Sequence, residues 1–187
     1  MYSVIVGNFP WMIYNILLAV IPVLLARLFY KAKNPFLKVI FFAGWLFFIP
    51  NTIYLFTDIL HLMDQINEVD YFGSAILTVQ YAVLFIAGFL TYILSMYPIE
   101  KKLKLSPSMI AGINFLIGFG VVIGRVHRLN SWDIIFQPES VVNAALDTTT
   151  TFSLFLLAIL FGLFANFMYF LFRKKVVKYV SKVKKKI

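Results

Sequence analysis

Five apolar stretches, each of about twenty residues, are the feature that most constrains the fold of this chain. They occupy residues 10–29, 39–57, 72–97, 107–124 and 151–172, and are almost free of charge. A helix needs about 20 apolar residues to cross a hydrocarbon core about 30 Å thick. The pattern predicts an all-α, polytopic transmembrane helical bundle of about five spans, with residues 1–172 as one domain. Residues 173–187 predict a basic amphipathic cytoplasmic tail, because Val and Ile recur at helical spacing between lysines.

Composition excludes most other classes of protein. Hydrophobic residues make up 61 % of the chain and charged residues 13 %, about half the charged fraction of a soluble domain. The formal net charge of +9 resembles that of a nucleic-acid-binding protein, but the basic residues follow the membrane pattern and predict no nucleic-acid partner. The chain has no cysteine, which excludes disulfides, thiolate catalysis and Cys-ligated metals. No cofactor is expected.

Basic side chains lie at alternate ends of the five apolar stretches. They lie around the ends of the first, third and fifth stretches, and comprise every Lys and Arg except Arg125 and Arg128. Every acidic residue except Glu100 lies on the other side. Because Lys and Arg near span ends favour the cytoplasm, the amino terminus is predicted outside and the carboxyl terminus inside. Arg125 and Arg128 then lie on the outer side, where the rule does not explain them.

Two polar segments carry the residues of chemical interest, and the first follows Pro50, which should kink the second span. Its polar residues recur at offsets of three or four, which places them on one helix face. They are Asn51, Tyr54, Asp58 and His61, with Thr57 beside them.

The second polar segment follows the fourth apolar stretch and contains both outer arginines. Its members are Arg125, Arg128, Asn130, Ser131, Trp132 and Asp133. Asp58 lies roughly 30 Å along the second span, and Arg125 roughly 27 Å along the fourth. Both segments therefore reach the same outer interface, where Arg and carboxylate are expected to pair.

Several roles for this polar set remain open from the residues alone. It could be a structural ion-pair network in which Asp58 pairs with Arg125 or Arg128. His61, His127, Asp58 and Asp133 offer metal ligands, but the arginines would repel a cation, so no metal is expected. His61 and Asp58 could also serve as an acid–base pair in a membrane-embedded enzyme acting on an envelope substrate.

Binding of an anionic lipid headgroup, an envelope precursor or a partner protein fits the inventory of residues better. Two arginines suit phosphate or carboxylate recognition, and the neighbouring amides add directional hydrogen bonds. A third alternative, after binding and an enzyme, is an accessory subunit of a larger membrane complex, and a protein partner or a homo-oligomer is possible. We expect the polar pocket to lie between the outer ends of the second and fourth helices.

Other features predict local structure. Ser106 before Pro107 predicts a helix cap, whereas Asp147 and the threonines after it predict the start of the fifth helix. Three amides deep in the spans, Gln80, Asn114 and Asn166, predict hydrogen bonds between helices. Gly120 and Gly124 predict close approach of another helix to the fourth, and we expect that fourth helix at the centre of the bundle.

The two polar segments also resemble a known family. WLFFIPNTIYLFTDILHL and GRVHRLNSWD are similar to signatures of the "domain of unknown function 1361" family of bacterial membrane proteins. The matching residues are Trp45, Pro50, Asn51, Tyr54, Thr57, Asp58, His61, Arg125, Arg128, Asn130, Ser131, Trp132 and Asp133. The resemblance implies a multi-pass protein of a bacterial plasma membrane, surrounded by membrane lipid, and it brings no assigned activity.

Overall fold

The structure is a computed structural model that describes the backbone of residues 2–184 and the side chains of residues 4–179. Within that part of the chain every regular element is helical. The α-helices are α1 (Tyr2–Lys31), α2 (Pro35–Phe48), α3 (Pro50–Tyr54), α4 (Ile59–Gln65), α5 (Tyr71–Leu103), α6 (Pro107–Val126), α7 (Asp133–Phe136), α8 (Pro138–Thr150) and α9 (Phe152–Lys184). Short 3₁₀ turns over Leu55–Asp58 and Ile66–Glu68 flank α4.

Five helical segments are long and apolar enough to cross a membrane, as the sequence predicts. They are Val4–Lys31, Pro35–Glu68, Tyr71–Leu103, Pro107–Val126 and Phe152–Tyr179. Each is longer than the apolar stretch that predicted it, because residues that flank the stretch continue the helix. These five helices indicate a multi-pass membrane protein.

The second span is the irregular one, and Pro50 accounts for the interruption. The α-helix ends at Phe48 and restarts at Pro50, which lacks the N–H that would continue the hydrogen-bond ladder. Asn51 Nδ2 donates to the Phe48 carbonyl at 3.0 Å, and Thr52 Oγ1 donates to the Ile49 carbonyl at 2.7 Å. Polar side chains therefore compensate for the broken ladder within the membrane span.

Capping side chains explain where three of the long helices begin. Asn34 and Asp70 accept hydrogen bonds from the first turns of α2 and α5, each at 2.8 Å. Ser106 Oγ accepts from the Met109 N–H at 3.3 Å, with Pro107 in the first turn, which confirms the predicted cap of α6.

Glycine lets α6 pack closely against its neighbours. A Cβ on Gly118 would overlap the Ala158 carbonyl of α9, and one on Gly120 would lie 2.5 Å from Pro50 Cγ. At Gly118 the backbones of α6 and α9 therefore meet directly, and at Gly120 the Pro50 ring packs against the α6 backbone. The predicted close approach at Gly120 is confirmed, and its partner is the kinked second span.

All three deep amides hydrogen-bond across helices, as predicted. Gln80 Nε2 donates to the Ile5 carbonyl at 3.0 Å, and Asn114 Nδ2 donates to Asn166 Oδ1 at 3.0 Å. Asn114 also accepts from the fully buried Tyr92 hydroxyl at 2.6 Å. These bonds join α1 to α5, and α5 and α9 to α6.

The two ends of the bundle differ in charge. At one end, here called the lysine-rich end, Glu100 accepts hydrogen bonds from Tyr169 and Arg173, which accounts for the single acidic residue among the lysines. The opposite end carries the two polar segments and the short helices α7 and α8.

The start of the last helix is not where the sequence places it. Asp147 lies in the last turn of α8, and its main-chain carbonyl accepts from the Thr151 N–H at 2.9 Å. The next helix begins at Phe152, so the prediction that Asp147 opens the fifth helix is wrong. Asp147 lies instead at the C-terminal end of α8, where its carboxylate accepts a hydrogen bond from the Thr151 hydroxyl at 2.7 Å.

The predicted tail continues the last span. Helix α9 runs from Phe152 through the predicted domain boundary after residue 172 to Lys184 without a break. The remaining tail residues, 185–187, lie outside the described part of the chain, and so do the side chains of residues 180–184.

Candidate functional site

A polar cavity of about 460 Å³ lies at the end of the bundle opposite the lysine-rich end. Its walls come from α1, the kinked second span, the end of α6 and the loop 127–132. The lining residues are Tyr14, Asn15, Leu18, Asn51, Tyr54, His61, Gly124, Arg125, Arg128, Leu129 and Asn130. Its volume falls within the range of small-molecule binding sites.

An ion pair joins Arg125, which lines the polar cavity, to the buried Asp58 behind it. Arg125 Nη1 lies 3.3 Å from Asp58 Oδ1, and the Asp58 side chain is only 2 % exposed. Asn15 Nδ2 donates to the other carboxylate oxygen at 3.4 Å. The sequence left Arg125 and Arg128 as alternative partners of Asp58, and the structure selects Arg125. Its charge is largely balanced by this carboxylate.

The remaining contacts of Arg125 fix its orientation. Both terminal nitrogens lie 3.5 Å from His61 Nε2, and the guanidinium carbon lies 5.9 Å from the centre of the Tyr54 ring. A guanidinium only donates hydrogen bonds, so His61 can accept here only through an unprotonated Nε2. Arg125 thus lies between Asp58 and His61, and within the described residues no hydrogen bond joins that carboxylate directly to that imidazole.

Arg128 lines the same cavity as Arg125 but differs from it in exposure and in pairing. It lines the cavity, its side chain is exposed, and within the described part of the chain nothing accepts a hydrogen bond from it. Its backbone is left-handed, with φ of 55°, which costs a residue with a Cβ roughly 1–2 kcal/mol. The five N–H groups of this guanidinium are therefore available for an anion.

The loop that carries Arg128 is held by side-chain hydrogen bonds. The nearly buried Asp133 accepts from the Asn130 N–H at 2.6 Å, and Ser131 Oγ accepts from Asn51 Nδ2 at 2.8 Å. The second bond ties the loop to the kink of the second span. The loop is therefore held by one local hydrogen bond and by one bond to the second span.

The predicted residues thus divide into three groups. Six line the polar cavity: Asn51, Tyr54, His61, Arg125, Arg128 and Asn130. Asp58, Ser131 and Asp133 hold cavity residues in place through the bonds described above. Thr57 and Trp132 do neither, since the Thr57 hydroxyl donates to its own helix at the Tyr54 carbonyl, and Trp132 precedes α7 half-buried.

Helix α1 supplies the part of the site that the sequence did not reveal. Tyr14 and Asn15 line the cavity, and the Trp11 ring centre lies 5.8 Å from that of His61. Trp11 and Tyr14 are residues of the types that commonly anchor a span at the membrane interface. Asn15 was the available signal, because an amide within an apolar span needs a hydrogen-bond partner.

The donor set suits an anion better than a metal ion. Within the described residues, no three His, Cys, Asp or Glu side chains lie close enough together to hold a metal. His127, a candidate ligand by sequence, lies outside the cavity, with its Nε2 3.7 Å from Asp147. The cavity instead presents a free guanidinium, amide groups and a tyrosine.

Comparison with known proteins identifies a family. The family model described as "Protein of unknown function (DUF1361)" matches residues 14–170, which include all five spans in whole or in part. Searches of curated proteins and of solved structures gave no match. The match spans most of the chain and contains every residue of both polar segments, so the chain belongs to the DUF1361 family of proteins of unknown function.

Proposed function

We propose that this protein binds an anionic headgroup, that of a membrane lipid or of a lipid-linked envelope precursor, in the polar cavity. Arg128 is the group that holds the anion. The observation that carries the proposal is a free guanidinium in a cavity whose other cation, Arg125, already has a carboxylate partner.

The two arginines have separate roles in this proposal. Arg125 is a positioning residue, since Asp58, His61 and Tyr54 surround its guanidinium. Arg128 supplies the uncompensated positive charge, and a planar guanidinium can bind phosphate oxygens through two parallel hydrogen bonds. Asn51 and Asn130 line the same cavity and add polar groups for the rest of the headgroup.

The strained backbone of Arg128 supports the same assignment. Glycine would adopt its left-handed conformation without steric cost, so a bulky side chain at this position is unfavourable for folding alone. Strain of this kind concentrates at binding sites, where the side chain is needed for another purpose.

We further propose that the cavity faces away from the cytoplasm of a bacterial cell, in the outer half of the plasma membrane. Lys101, Lys102 and Lys104 follow α5 at the opposite end, and Arg173 and Lys174 lie near that end in α9. Clusters of this kind near span ends favour the cytoplasmic side.

The test compares binding of phosphatidylglycerol and phosphatidylcholine to the purified protein in mild detergent. Arg128→Gln should weaken phosphatidylglycerol binding about tenfold, the effect of losing one charge-assisted hydrogen bond. It should weaken phosphatidylcholine binding less, because that headgroup carries a choline cation beside the same phosphate. Lys104→Gln is the matched control, because Lys104 is also a cation with positive φ but lies at the lysine-rich end. Equal affinities of the two variants for phosphatidylglycerol would refute the proposal.

A further inference from the structure

We infer that the ligand of the polar cavity is a lipid, and that one of its hydrocarbon chains lies in an apolar groove between the second span and α6. This inference rests on the proposed function and adds the part of the ligand that the polar cavity does not hold.

The apolar groove is a second cavity, of about 270 Å³, that adjoins the polar cavity. Its walls are formed by side chains of both helices, among them Leu46, Phe47, Leu116 and Phe119. Leu116 is 58 % exposed and Phe47 is 40 % exposed, so the groove opens on the lipid-facing surface of the bundle. Such a surface is normally in contact with hydrocarbon chains.

Continuity between the two cavities identifies the occupant. Asn51, Tyr54, Gly124, Leu129 and Asn130 line both of them. A water-soluble anion would use only the polar cavity. A lipid uses both, because its headgroup reaches the arginine while its chain passes the shared residues into the groove.

Gly124 lies at the junction of the two cavities. A Cβ at Gly124 would meet nothing closer than 3.6 Å, so packing does not require a glycine there. Its missing side chain leaves space between the cavity and the groove. This differs from Gly120, where the space is already occupied by Pro50.

The groove also runs in the direction that a lipid chain takes. From Gly124 to Leu116, the helix descends eight residues toward the bilayer centre, or roughly 12 Å. Tyr54 and Phe47 are separated by a similar distance along the second span. A headgroup at the rim of the membrane and a chain directed toward its centre is the ordinary orientation of a membrane lipid.

Two soluble probes separate the headgroup from the chain: glycerol phosphate, and short-chain phosphatidylglycerol below its micelle concentration. The groove variants are Leu116→Trp and Ile123→Trp, since both residues line the groove and neither lines the polar cavity. The control is Leu160→Trp, a residue of α9 that is 53 % exposed and lines neither cavity.

Each groove variant should weaken phosphatidylglycerol binding about tenfold, the effect of excluding roughly two methylene groups from the groove. Their binding of glycerol phosphate should stay unchanged. The control Leu160→Trp should leave the binding of both probes unchanged. Two groove variants are used so that misfolding of one does not end the test.

Each of the other outcomes overturns a specific claim. Lipid affinity that stays at the control value in both groove variants overturns the inference, and so does an equal loss with both probes. Arg128→Gln should weaken both probes, and if it weakens neither, the proposed function fails. The groove variants therefore test the inference, and Arg128→Gln tests the proposed function, so either claim can fail without the other.

Discussion

Replacing Arg128 with glycine should stabilise the fold and weaken the binding of anions about tenfold at the same time. Arg128 lines the polar cavity with a left-handed backbone, and its side chain has no protein partner within the described residues. The substitution removes a group that the proposed function requires and that folding does not. The two effects of Arg128→Gly should therefore have opposite signs.

The size of the stabilisation follows from two opposing terms. Relief of the left-handed strain contributes about 1–2 kcal/mol. The greater freedom of glycine in the unfolded chain offsets about 0.4–1 kcal/mol of this. The midpoints of the two ranges leave a net gain of about 0.8 kcal/mol, or an increase in Tm of about 2–3 °C for a chain of this length.

The assay measures thermal unfolding in mild detergent by tryptophan fluorescence, together with phosphatidylglycerol binding. Lys104→Gly is the matched control, since Lys104 has φ of 53° and ends α5 at the opposite end of the bundle. It should raise Tm by a similar amount and leave lipid binding unchanged.

The reasoning is refuted if Arg128→Gly lowers Tm while Lys104→Gly raises it. That result would show that the Arg128 side chain stabilises the fold through contacts of its own. Retention of full lipid affinity in Arg128→Gly would refute its assignment as the anion-holding residue.

Three further predictions test the ion pair, the helix packing and the topology. Arg125→Gln should lower the free energy of unfolding in SDS titrations by about 3 kcal/mol, because it leaves the buried Asp58 carboxylate without its cation. Adding Asp58→Asn should restore part of the loss. If the effects of the two substitutions on the free energy of unfolding simply add, the pairing is contradicted. Gly118→Ala should cost about 1–3 kcal/mol in the same titration, because a Cβ would overlap the backbone of α9, and an unchanged stability would contradict that close contact. Since the chain has no cysteine, single introduced cysteines report the orientation. Asn143→Cys, at an exposed position of α8, should react with an impermeant maleimide in intact cells, and Lys104→Cys only after permeabilisation. The reverse pattern would invert the proposed orientation.

Periodicity and hydropathy predicted the architecture well because membrane insertion depends on properties that are local along the chain. Span number, the interruption at Pro50 and the cap at Ser106 each follow from a few neighbouring residues. The start of the last helix was mispredicted because Asp147 suits either end of a helix-to-helix connection, and the local pattern did not separate them.

The candidate site was predictable only in part. Charge and spacing identified both polar segments, and the rise per residue placed Asp58 and Arg125 at one depth. The contribution of α1 was not predictable. Tyr14 is a residue type that commonly anchors a span at the interface, and Asn15 is a single amide in an apolar run.

The sequence by itself thus determined that the chain forms five apolar helices with two polar segments at one end, because a bilayer imposes the same length and polarity on every span. Only the tertiary structure decided which arginine is neutralised and which is free. Arg125 and Arg128 lie three residues apart with identical chemistry, and a turn of left-handed backbone at Arg128 separates them. Arg125, in the last turn of α6, meets Asp58 of the second span, whereas Arg128, in the loop after that helix, stays in the polar cavity beside the apolar groove. Contacts between segments far apart along the chain set this outcome.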